Sequence, residues 1–178
     1  MITKQDWLDA SLDALMERGA SQVKVERLAR GLGVTKGSFY WHFEDRQDLL
    51  RQTADYWAEK QHAYLAALKA EAHGSPEDRL KGLLEYIDGK DIRHDVAMRM
   101  WAHREDWVRA LLAELDRLRL DYCESIFCAM GFPPLEARLR AHLVYYYQIA
   151  EQTISFQEPE EVRARLAPLR IDLLTGKS

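Results

Sequence analysis

A chain of 178 residues is long enough for one or two domains with a full hydrophobic core. With 47% hydrophobic and 30% charged residues it has the make-up of a soluble globular protein, and no run approaches the ~20 apolar residues of a membrane span. Its net charge of −4 excludes nucleic-acid binding through bulk positive charge: residues 1–51 hold eight Lys and Arg against eight Asp and Glu, and the remainder holds 17 against 21.

The opening stretch MITKQDWLDA starts a helical pattern and not a signal peptide, so the cytoplasm is the expected compartment. Thr3 and Asp6 have capping-box spacing, and Trp7, Leu8, Leu12, Leu15 and Met16 recur at helical intervals up to Gly19. Lys4 stands at the start of this helix, where an ordinary solvated lysine is the simplest reading. A second helix is predicted over Val25–Leu32, with Leu28, Ala29 and Leu32 on one face. Gly33 suits a turn, Val34 plugs its corner, and the Thr35 hydroxyl is placed to cap a third helix over Lys36–His42. Phe39 and Phe43 share the inward face of that helix. Small Ala29 lets the two helices approach. This is helix-turn-helix logic.

The third helix leaves Lys36, Ser38, Tyr40, Trp41 and His42 outward. Lys36 and Ser38 suit base edges, while Tyr40, Trp41 and His42 suit the sugar-phosphate backbone. Core packing is the competing reading for the two large rings. Thr35 and the amides after it suit a phosphate, and Gly37 lets the backbone lie close to a duplex. Asp45 and Asp48 cap a fourth helix whose first residue is Arg46. An arginine there opposes the helix dipole, a cost that makes sense if it reaches a phosphate.

The run Gly33-Val34-Thr35-Lys36-Gly37-Ser38-Phe39-Tyr40-Trp41-His42-Phe43, followed by Arg46 and Leu49-Leu50, resembles the signature of the TetR family of bacterial transcriptional regulators. The resemblance covers residues 3–55. It implies an all-α protein of about nine helices: a helix-turn-helix DNA-binding domain over 1–50 and a helical effector-binding and dimerisation domain over 51–178. The chain departs from the family in its second helix. Lys24 stands where a Thr or Ser cap is usual, and Glu26 where a basic residue is common. Glu26 would repel phosphate, although it could accept from a cytosine amino group, and Arg27 takes over the phosphate role.

The fourth helix continues to residue 71 with Leu49, Leu50, Thr53, Trp57, Gln61, Tyr64, Leu65 and Leu68 on a broad face. At 1.5 Å per residue it spans ~39 Å and can act as a lever. His73-Gly74-Ser75-Pro76-Glu77-Asp78 is the clearest break, with Ser75 as cap and Pro76 at the first helical position. Further helices follow: the fifth to Gly89, a short one over Ile92–His103, and a long one over Glu105–Met130 with Val108, Leu111, Leu115, Leu118 and Tyr122 as a bundle seam. Pro133-Pro134 opens the eighth, which carries three consecutive tyrosines. The ninth starts at Glu160, should kink at Pro168 and frays over Thr175–Ser178.

No active-site motif or metal signature is present, and Cys123 and Cys128 lie on different faces of one helix, which argues against a disulfide. No cofactor is expected. The resemblance implies an effector pocket in the C-terminal helices, for which Trp57, Tyr64, Met100, Trp101, Arg104, Tyr122 and Tyr146 are candidates. An apolar or aromatic effector is expected, with Arg104 leaving room for an acid. The resemblance also implies a homodimer through the last two helices, with Leu143, Tyr147, Ile154, Leu166 and Leu169 at the interface. The partner would be double-stranded DNA carrying an inverted repeat. Two other classes stay open. One is an all-α ligand-binding or adaptor protein that has lost DNA binding, and the other is a helical enzyme, which would need convergent titratable groups.

Overall fold

The computed structural model describes residues 2–71, 73–89, 92–154, 156 and 158–176. Among these the chain forms nine α-helices and no strand: α1 (Lys4–Arg18), α2 (Val25–Gly31), α3 (Lys36–Phe39), α4 (Arg46–Ala70), α5 (Pro76–Asp88), α6 (Arg93–Ala102), α7 (Asp106–Ala129), α8 (Pro134–Thr153) and α9 (Glu160–Thr175). A single 3-10 turn, Ala20–Gln22, follows α1. This is the all-α class expected from the sequence. α3 is shorter than predicted, because Tyr40, Trp41 and His42 lie in a turn after Phe39.

Helix boundaries follow local chemistry. The Thr3 hydroxyl accepts from the Asp6 N–H at 3.3 Å, and the Asp6 carboxylate accepts from the Thr3 N–H at 2.6 Å. Ser75 and Asp78 repeat the arrangement at 3.2 and 3.1 Å, ahead of Pro76. These bonds hold both carboxyls below their ordinary range, through the Thr3 backbone N–H above all for Asp6 and the Ser75 hydroxyl above all for Asp78. At α4 the Asp45 carboxylate accepts from the Asp48 N–H at 2.8 Å. The expected cap at Thr35 is not made: its backbone is extended, but its hydroxyl accepts no bond from the helix.

The chain divides into two compact units. The first comprises Met1–Ala66 and Asp91–Leu115, and the second Ala67–Lys90 and Asp116–Ser178. In the first, Trp7, Leu12, Leu15, Leu28, Phe39, Phe43, Leu49, Trp57, Met98 and Val108 form one buried core. α6 belongs here, packed along α1, with His94 Nε2 3.4 Å from Asp13 Oδ1. The Thr53 hydroxyl donates to the Leu49 carbonyl at 2.7 Å and lies 2.8 Å from that of Ser11, so two buried hydroxyls satisfy each other.

In the second unit Leu80, Leu83 and Leu84 of α5 are buried, as are Ile126 and Phe127 of α7, Ala137, Ala141 and Val144 of α8, and Leu174 of α9. Arg140 ties α8 to the end of α9. Its guanidinium donates to Glu136 and to the Leu174 carbonyl, both at 2.5 Å, and lies 3.9 Å from the Phe132 ring centre. α9 continues on both sides of Pro168. Of the tail expected to fray, Thr175 closes α9, and Lys177 and Ser178 lie outside the described residues.

Both cysteines are free. Cys123 is buried, which pushes its thiol up to about 12, and Cys128 is exposed. In the native protein one thiol of the two is expected to react with an aromatic disulfide reagent at pH 8, and the second only after denaturation. Two rapid equivalents from native protein would show that Cys123 is open to solvent.

Candidate nucleic-acid interface

α2 and α3 are joined by a turn at Gly33, whose φ of 69° lies where side chains with a Cβ are strained. The chain is then held back on α2 by the Val34 N–H, which donates to the Ala29 carbonyl at 2.9 Å. α3 has only four residues, so packing must stabilise it. Phe39 is fully buried, edge-on to Trp7 at 5.5 Å and stacked on Phe43 at 5.3 Å.

With Phe39 and Phe43 inward, the neighbouring side chains are forced outward. Trp41 is 88% exposed and Tyr40 58% exposed, so core packing does not explain either ring. Thr35, Lys36 and Gly37 are exposed, and Ser38 and His42 are half-buried. A Cβ at Gly37 would meet only Thr35 Oγ1, at an ordinary 3.5 Å. Nothing inside the protein therefore demands glycine at position 37.

The cations are deployed differently from the sequence reading. The position of Arg46 at the start of α4 suggests a phosphate contact or a solvated side chain. Instead its Nε donates to the Val23 carbonyl at 2.6 Å and its Nη2 to the Ala20 carbonyl at 2.5 Å, satisfying the end of the turn after α1. Lys36 is engaged as well, with Nζ 2.6 Å from Glu26 Oε1. That contact holds the Glu26 carboxyl below and the Lys36 ammonium above their ordinary values, mainly through the hydrogen bond between them. Arg27 is exposed on α2. Lys4 is exposed at the start of α1, 5.7 Å from the Phe43 ring centre.

The effector candidates are scattered in character. In the first unit Trp57, 1% exposed, and Trp101 are core side chains, the latter edge-on to Trp107 at 5.1 Å. Tyr64, Met100 and Arg104 are exposed. In the second unit Tyr122 is buried with Lys69 5.6 Å from its ring centre, and Tyr146 is exposed and stacked on His142. A groove of about 580 Å³ does lie within the second unit, but other residues line it, among them Asp88, Tyr147, Gln148, Glu151, Arg163 and Arg170. Its charged lining does not suit an apolar ligand. Each of the five residues expected at a dimer interface, Leu143, Tyr147, Ile154, Leu166 and Leu169, stands exposed on the second unit.

Residues 8–53 match the family of bacterial regulatory proteins described as the tetR family. The transcriptional regulator AcrR of Shigella flexneri is 38% identical over 50 residues, which is 28% of this chain and 23% of AcrR. The chain thus aligns with less than a quarter of that relative's length. The regulator BetI of Cronobacter sakazakii is 27% identical over 149 residues, covering 79% of this chain and 73% of BetI. Among solved structures, a TetR transcriptional regulator from Legionella pneumophila superposes with a TM-score of 0.72 at 14% identity, over 97% of each chain. FadR of Bacillus subtilis, in complex with stearoyl-CoA, superposes with a TM-score of 0.62 at 16% identity, over 97% of this chain and 98% of FadR. No described helix is long and apolar enough to cross a membrane. Residues 8–53 thus carry the N-terminal domain of the tetR family of bacterial regulatory proteins, and the chain shares the all-α fold of TetR regulators over nearly its whole length.

Proposed function

We propose that the protein is a cytoplasmic transcriptional repressor that binds an inverted-repeat operator as a homodimer and is released by a small-molecule effector. The observation that carries this reading is the outward pair Tyr40 and Trp41, on the turn after α3, which itself exposes Lys36 and Gly37. The rings leave apolar surface in water, and their hydroxyl and indole N–H groups are free to donate to a sugar-phosphate backbone. Residues 1–50 do the reading, and residues 51–178 supply the effector site and the dimer contact.

Because residues 1–51 carry no net charge, one copy binds weakly. Two copies related by a two-fold axis would set their recognition helices ~34–36 Å, or a multiple of that, apart in successive major grooves. An effector that favours another spacing would weaken binding by its differential affinity, typically ~1–3 kcal/mol. The FadR neighbour holds stearoyl-CoA, which supports a small-molecule effector, and the charged groove of the second unit favours one with a charged part.

Selection from a random DNA library at two salt concentrations tests the reading. An enriched inverted repeat whose retention falls as salt rises is expected. No enrichment at either salt would favour the second reading, a ligand-binding protein without DNA contacts, to which the neutral charge of residues 1–51 also points. Tyr40→Ala is expected to weaken binding by about ten- to a hundred-fold per half-site, equally on all sequences, since a lost bond to a charged phosphate costs about 1.5–3 kcal/mol. A change of base preference without that uniform loss would contradict a backbone role for Tyr40.

A further inference from the structure

The ion pair between α2 and α3 has a chemistry that neither partner has alone. Glu26 is the second residue of α2 and Lys36 the first of α3, ten positions apart in sequence. Their charged atoms meet at 2.6 Å, with side chains 63% and 50% exposed, so the pair is presented to solvent. In a helix-turn-helix, the N-terminal residues of the second helix face base edges in the major groove. The fold brings Glu26 to the same spot. The ammonium also cancels the charge that would otherwise repel phosphate.

An acceptor beside a donor is complementary to a donor beside an acceptor. In the major groove a C·G pair offers the cytosine N4 amino group at one end, then guanine O6 and N7. The N4 and O6 atoms are joined by an N–H···O hydrogen bond of about 2.9 Å, close to the spacing of the protein pair. An A·T pair fits less well. Its one donor, adenine N6, is flanked by the acceptors N7 and O4, so a carboxylate placed there faces lone pairs on both sides. On C·G the carboxylate lies at the donor end and the ammonium spans both acceptors.

We propose that Glu26 and Lys36 act as one two-headed reader of a single C·G base pair in each half-site, Glu26 accepting from cytosine N4 and Lys36 donating to guanine O6 and N7. The assignment rests on the operator-binding reading above and specifies its base preference. It turns the residue that departs most from the family's second helix into a determinant of specificity.

The test is selection from random DNA with the full-length protein, with Glu26→Ala, with Lys36→Ala and with both. All four proteins are first checked by thermal unfolding, which exposed substitutions should leave nearly unchanged. The wild-type repeat is expected to carry C·G at one symmetric pair of positions. Each single variant should relax preference there by about ten-fold or more and nowhere else, with no further relaxation in the double variant. Relaxation at different positions would overturn the proposal. So would a Glu26→Ala protein that binds all sequences more tightly with its preferences intact, because Glu26 would then be only a repelling charge. A wild-type protein that enriches no repeat would fail the operator-binding reading itself, an outcome separate from an enriched repeat that lacks the shared C·G position.

Discussion

Phe39→Ala is expected to cost about 3–5 kcal/mol of stability and to abolish specific DNA binding. The large effect follows from where the ring sits. Phe39 is fully buried, with Trp7 edge-on and Phe43 stacked, so truncation leaves a cavity lined by two aromatic rings and a helix of four residues with its main anchor gone. A helix that short has no stability of its own, and a loss of this size is a large share of the roughly 5–15 kcal/mol that holds a typical domain folded. Thermal unfolding followed by circular dichroism, together with DNA binding, checks both parts. Phe39→Leu keeps most of the volume and should lose far less. Wild-type affinity in the alanine variant would mean that α3 is positioned by something other than this packing.

The second large effect is expected at the face of α8 and α9. Leu143, Tyr146, Tyr147, Leu166 and Leu169 are exposed apolar residues in the second unit, with Ile154 57% exposed just after α8. A concentration of this kind on one face marks an association surface. Leu143 and Tyr147 are four apart on α8, hence on one side of it. Tyr147 has Arg170 5.1 Å from its ring centre, and Arg170 also pairs with Asp88 and Glu151, so a carboxylate placed there adds a third acid to that network. Tyr147→Glu combined with Ile154→Lys should give monomers in sedimentation while leaving the buried core of the second unit intact. Operator affinity should fall by about 10²–10⁴, the usual gain from tethering two weak heads. A dimer that persists in the double variant would place the interface on another surface.

What could be read directly from the chain has a common physical basis. Thr3 with Asp6 and Ser75-Pro76 with Asp78 begin helices where the sequence said they would, because capping joins groups three residues apart. Gly33 and Gly89 end helices for similarly local reasons. Phe39 and Phe43 were legible as inward because period and volume leave them no other place. The exposure of Trp41 follows by exclusion once those two are buried.

The remaining features depend on pairs that sequence spacing does not connect. Arg46 looked like a phosphate contact from its position at a helix start, yet it satisfies carbonyls of Ala20 and Val23, more than twenty residues earlier. Glu26 and Lys36 looked like opposing influences on DNA and turn out to be one ion pair, because the turn at Gly33 folds α3 back on α2. Thr35 had the right chemistry for a cap, and its hydroxyl makes no such bond. Likewise α6, which the sequence grouped with the C-terminal helices, packs on α1 in the first compact unit. By itself, then, the sequence determined the helices, most of their boundaries and the aromatic-rich turn after α3, since these rest on interactions within a few residues. Only the tertiary structure decided which cations are engaged within the protein and which helices share a core, since those outcomes depend on desolvation and on carbonyls and carboxylates supplied by distant segments.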